Sequence, residues 1–168
     1  MAQPLKAVAV NLDGALGDTR ELWRAFLADV ARRFASIAPL EPDRLPADRG
    51  EAAAELDRWA AQGVGDWRAA LTRFAEERAP VFLRPSAEAS AALRRLIDAG
   101  YRIGVFTDAP VELARVALAH LGAARRVAVV ETGVGARERL LARLGRDAEV
   151  AASREELVRL ARKSNLAL

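Results

Sequence analysis

The sequence predicts an α/β protein: a Rossmann-like parallel sheet with helices on both faces, interrupted after its first strand by a small all-helical insertion. Three observations carry this expectation. Short apolar runs rich in β-branched residues alternate with amphipathic helical stretches, the pattern of βαβ units. The region 18–83 breaks that rhythm and contains no strand-like run. Finally, 168 residues that are 52% hydrophobic are enough to bury one real core, which argues against disorder.

The elements follow in order. Leu5 to Leu12 is a short apolar run closed by Asp13-Gly14, as suits a buried parallel strand ending in a turn. Similar runs occur at Tyr101 to Phe106, Val127 to Val130 and Ala148 to Ala151. Helices are expected at Ser86 to Ala99, Val111 to Leu121, Ala136 to Leu144 and Arg154 to Lys163, with Gly100 and Gly122 placed to end two of them. The insertion reads as three helices separated by Pro39, Pro42, Pro46 and Gly63-Val64-Gly65. Leu22, Trp23, Phe26, Leu27, Val30 and Phe34 fall on one helical stripe. Leu56, Trp59, Trp67, Leu71 and Phe74 supply the facing bulk, so Trp23, Trp59 and Trp67 are expected to pack helices together and to bind no cofactor.

Composition narrows the chemistry. Without cysteine there is no disulfide, thiolate metal site or thiol nucleophile, and with His120 as the single histidine there is no His-cluster zinc site. His120 stands just before Leu121-Gly122, as a helix C-terminal residue would. Net charge is +3 with a pI near 10.1, yet the arginines are interleaved with acids, as in Arg154-Glu155-Glu156, and read as solvated helix faces. Aromatics make up 5% of the chain, too few for a stacking surface, so nucleic acid is not an expected partner. Neither a signal-peptide run in the N-terminal MAQPLKAVAVNLDG nor a twenty-residue apolar stretch is present, and the expectation is a cytoplasmic protein without membrane attachment. Thr132-Gly133-Val134-Gly135 is neither a nucleophile elbow nor a P-loop.

At the end of the first strand, Asn11-Leu12-Asp13-Gly14-Ala15-Leu16 resembles the first motif of the haloacid dehalogenase (HAD) superfamily of phosphatase-like hydrolases, usually D-x-D-G-T-L. Gly104-Val105-Phe106-Thr107-Asp108 resembles the second motif, an apolar strand ending in a hydroxyl residue. Both would lie at the C-terminal ends of adjacent strands, where open α/β sheets place ligands. The resemblance implies a core of residues 1–17 and 84–168 and a C1-type helical cap at 18–83. It also implies a nucleophile position at Asn11, a general acid and base at Asp13, and phosphoryl binding by the Thr107 hydroxyl and the Asp108 N–H.

The same resemblance exposes what is missing. Asn11 is a neutral carboxamide where the superfamily has its aspartate nucleophile. No lysine occurs between Lys6 and Lys163, leaving Arg137 or Arg139 as substitutes for the superfamily's third-motif cation. The metal-binding aspartate of the fourth motif aligns with Ala152, while Glu155 and Glu156 are explained by a helix start at Ser153. An engineered nucleophile change would account for Asn11 but for neither of the other losses, which points to natural decay. Magnesium held by Asn11, the Asp13 carbonyl and water alone would bind weakly, so no cofactor and no metal ligands are expected. The reading is a degenerate HAD-like phosphatase site, inactive or severely impaired, in a protein that works by binding a small molecule, such as a phosphorylated one, or a protein partner. The alternative is an active phosphomonoester hydrolase using Asp13, Thr107, an arginine and magnesium.

Overall fold

The computed structural model describes residues 6–165, so Leu5 and the rest of the N-terminal pentapeptide lie outside the described residues. Four strands form one parallel sheet in the order β3-β2-β1-β4: β1 is Ala7–Asn11, β2 Arg102–Thr107, β3 Val129–Thr132 and β4 Glu149–Ala151. Helix α1 (Arg20–Phe34), α2 (Arg49–Ala61) and α3 (Trp67–Phe82) intervene between β1 and the next helix, α4 (Ala87–Asp98). The remaining helices are α5 (Val111–His120), α6 (Ala136–Leu144) and α7 (Arg154–Asn165). Among the described residues no helix is long and apolar enough to cross a membrane.

Alternation along β1 divides the core. Val8 and Val10 are fully buried in the larger cluster with Ile103, Val105, Leu93, Leu96 and Leu157, which places α4 and α7 on one face. Ala9 points the other way, onto Val129 and Leu140 of β3 and α6. Gly104 is part of that second face: a Cβ there would stand 2.6 Å from a Leu140 methyl, so α6 lies directly on the strand.

Strand β3 starts and ends two residues later than the apolar run Val127 to Val130. The chain leaves a short turn at Ala124–Arg126, pairs with β2 from Gly104↔Val129, and continues to Thr107↔Thr132. Ladder partners on β2 therefore set its limits, with hydrophobicity secondary.

The helices between β1 and α4 are held by aromatic packing. Trp23 and Trp67 are 5% and 2% exposed, and their rings meet edge to face at 6.3 Å. Phe26 stacks among Trp23, Trp67 and Phe74. Trp59 is half-buried and packs edge to face on Phe34, with its Nε1–H donated to the Ala38 carbonyl. His120, the last residue of α5, uses its ring Nε2 to bond the Leu83 carbonyl at 3.0 Å, tying α5 to the exit of α3. A carbonyl only accepts, so Nε2 carries the proton there.

Candidate functional site

Strand β1 ends at Asn11 and the chain turns tightly through Leu12–Leu16. Gly14 makes that turn possible at φ 110°, and a side chain there would also approach the Ala152 carbonyl at 3.0 Å. The turn brings Asp13 back over the end of β2. Its Oδ1 accepts from the backbone N–H and the hydroxyl of Thr19, both at 2.7 Å. Its Oδ2 accepts from the Thr107 hydroxyl at 2.9 Å. Thr107, the last residue of β2, also accepts the Ala109 N–H, which fixes its rotamer.

Asn11, Thr107, Asp108 and Arg137 line one cavity of about 270 Å³ at the C-terminal edge of the sheet, together with Asp48 and Glu138. Five of the residues the sequence singles out thus meet: four line the cavity, and Asp13 is bonded to one of them. Arg137 is exposed in the first turn of α6, behind Gly135. Arg139 is engaged elsewhere, bonding Glu131 and the carbonyls of Thr132 and Val134, and so pins the loop after β3.

Arg49, which no sequence motif marks, lies at the centre of the site. Asp48 caps α2 by accepting the Glu51 N–H at 3.0 Å, and Arg49 follows as the first helical residue. Its backbone N–H donates to Asp108 Oδ2 at 3.0 Å and its Nε to Asp108 Oδ1 at 3.1 Å. Nη1 donates to the Thr19 hydroxyl at 2.6 Å. Nη2 donates to Asp108 Oδ1 at 2.7 Å and to Asp13 Oδ2 at 2.5 Å. Arg49 is only 5% exposed, so one arginine buries its charge across the junction between the helical segment and the sheet. Gly50 permits this seating, because a Cβ there would lie 2.5 Å from the Val134 nitrogen.

Burial pushes the Asp108 carboxyl upward, but hydrogen bonds from the Arg49 side chain and backbone, with the Arg49 charge, outweigh it and hold the group below its ordinary value. For Arg49, burial works against the charge and its bonds to Asp108 and Asp13 prevail, raising it. A carboxylate depressed in the folded state contributes stability above its unfolded pKa of about 3.9, and that contribution is lost as pH falls through the folded value. The melting temperature is therefore expected to fall on acidification below about pH 4, more steeply for the natural chain than for Asp108→Asn. Melting curves across this range check it; equal slopes would remove Asp108 from the account.

The residues do not fit a magnesium ion of the kind HAD phosphatases hold. Asn11 offers a neutral amide, and Ala152 stands beside the Gly14 turn with no carboxylate. Ala152 donates its N–H to Glu156 Oε2 at 2.7 Å while the Glu156 N–H bonds the Ser153 hydroxyl, a reciprocal cap that occupies this acid. Among the described residues no group of three or more His, Cys, Asp or Glu side chains is placed to hold a metal.

No family model matches the sequence, and no curated protein matches it. Solved structures do match. CbbY of Rhodobacter sphaeroides, solved in complex with phosphate, is similar with a TM-score of 0.64 and 17% identity, over 96% of this chain and 83% of that one. A protein described as a putative beta-phosphoglucomutase from Thermotoga maritima is similar with a TM-score of 0.55 and 16% identity, over 94% of this chain and 99% of that one. At these identities the likeness establishes the fold: a haloacid dehalogenase-like α/β core with a helical segment after its first strand.

Proposed function

From this HAD-like hydrolase fold, we propose that the chain carries a degenerate phosphatase site, inactive or severely impaired, and works by binding a small molecule or a protein partner. Residues 18–83 act as the cap and 1–17 with 84–168 as the core. One observation carries the reading: both oxygens of Asp13 are already fully engaged. Oδ1 accepts two hydrogen bonds from Thr19, and Oδ2 accepts one from Thr107 and one from Arg49. A carboxylate has roughly four acceptor sites, so none is left to take or give a proton at a substrate oxygen. Asp13 serves as the keystone between cap and core, and Asn11 beside it supplies no nucleophile. The cavity lined by Asn11, Thr107, Asp108 and Arg137 is the ligand site, with the Arg137 charge suited to a small phosphorylated molecule.

The test is turnover of a chromogenic phosphate monoester with magnesium by the natural chain, Asn11→Asp, and Asn11→Asp with Ala152→Asp. Negligible turnover is expected from the natural chain and little or none from Asn11→Asp, whose new carboxylate would gain no metal. Partial activity is expected only when Ala152→Asp is added. Robust magnesium-dependent turnover by the natural chain, or full rescue by Asn11→Asp alone, would establish the phosphatase reading instead.

A further inference from the structure

We propose that Arg49 is the site's built-in cation: its guanidinium holds the place between Asp13 and Asp108 that a divalent ion joining these carboxylates would need, so that metal binding and closure of the helical segment exclude one another. This rests on the degenerate reading of the site and deepens it, by assigning a residue to the charge that the metal or lysine would supply. Nη2 stands 2.5 Å from Asp13 Oδ2 and 2.7 Å from Asp108 Oδ1. Magnesium sits about 2.0–2.1 Å from its oxygen ligands, so an ion bonded to both oxygens overlaps the space of that nitrogen. The guanidinium cannot lose its proton, which makes the counter-charge permanent.

The arginine is also not free to swing away. Its side chain is 6% exposed, Nη1 is bonded to Thr19, and its own backbone N–H is bonded to Asp108. The next residue, Gly50, lies backbone to backbone against Gly133 and Val134. Withdrawing the guanidinium therefore displaces the first turn of α2 from the core. The closed arrangement needs no ligand to hold it, because the charges that a ligand or metal would bridge are already bridged within the chain.

The experiment measures melting temperature with and without millimolar magnesium chloride for the natural chain, Arg49→Gln, and Arg49→Gln with Asp13→Asn. The natural chain should not respond. Arg49→Gln should melt lower and recover a few degrees with magnesium, about 3–6 °C when the ion exceeds its Kd tenfold; adding Asp13→Asn should abolish the recovery. A folded Arg49→Gln that ignores magnesium would overturn the inference. Should that variant not fold, manganese titration of the natural chain followed by electron paramagnetic resonance decides the matter. All of the manganese remaining free supports the built-in cation, whereas stoichiometric binding that Asp13→Asn removes overturns it. Metal bound by the natural chain without turnover defeats this inference and leaves the inactive reading standing; turnover by the natural chain defeats the inactive reading.

Discussion

Replacing Arg49 with methionine is expected to destabilise the chain by about 3–5 kcal/mol, because the change leaves a buried carboxylate without its counter-charge. Asp13 bears most of that cost: its side chain is 10% exposed, whereas Asp108 is 37% exposed and regains water more readily. Methionine keeps the bulk of the aliphatic stem, so the loss reports the guanidinium rather than a cavity. For a chain of this size the melting temperature should fall roughly 6–20 °C. Urea unfolding gives the free energy directly. A change below about 1 kcal/mol, the usual worth of a surface pair, would mean that Arg49 bonds the site without supporting it.

The second large effect lies in the helical segment. Trp67→Ala should cost about 3–5 kcal/mol, since the ring is 2% exposed and sits against Trp23 and Phe26 at 6.3 and 6.5 Å. The indole N–H is also bonded to Asp57 at 2.9 Å, and the Arg68 guanidinium lies 4.5 Å from the ring centre, so truncation strands several partners at once. Trp59→Ala should cost less, because that ring is only half-buried. If Trp67→Ala left the melting temperature unchanged, the packing role of this aromatic cluster would be refuted.

The architecture was legible because its signals are local. The helix Ala136–Leu144 and the Ser86 cap of α4 follow from period, capping residues and terminal glycines within a few positions. The cleft was legible as well, since Asn11 and Thr107 end neighbouring strands whose register pairs Asn11 with Phe106. Glu156 proved to be a cap residue, as the Ser153 spacing suggests. Trp59 was only half legible: its place on a helical stripe fixes the direction of the ring but not its depth.

Arg49 was not legible. It is one arginine among many, and its partners Asp13 and Asp108 are 36 and 59 positions away. No helical or strand period encodes such a contact. Its one local trace is Gly50, a residue unfavourable in a helix interior. The steric reason for it, the approach to Gly133 and Val134, appears only in three dimensions.

Arg49 and Asp13 act as a unit across the junction of helical segment and core, joined through Nη2 and Oδ2. A double-mutant cycle on unfolding free energy with Arg49→Met and Asp13→Asn measures this most directly. A coupling of about 1.5–3 kcal/mol is expected, the upper half of the range for bonded neighbours, with the second substitution costing far less once the first is made. Additivity of the two substitutions within about 0.3–0.5 kcal/mol, as for independent sites, would contradict it.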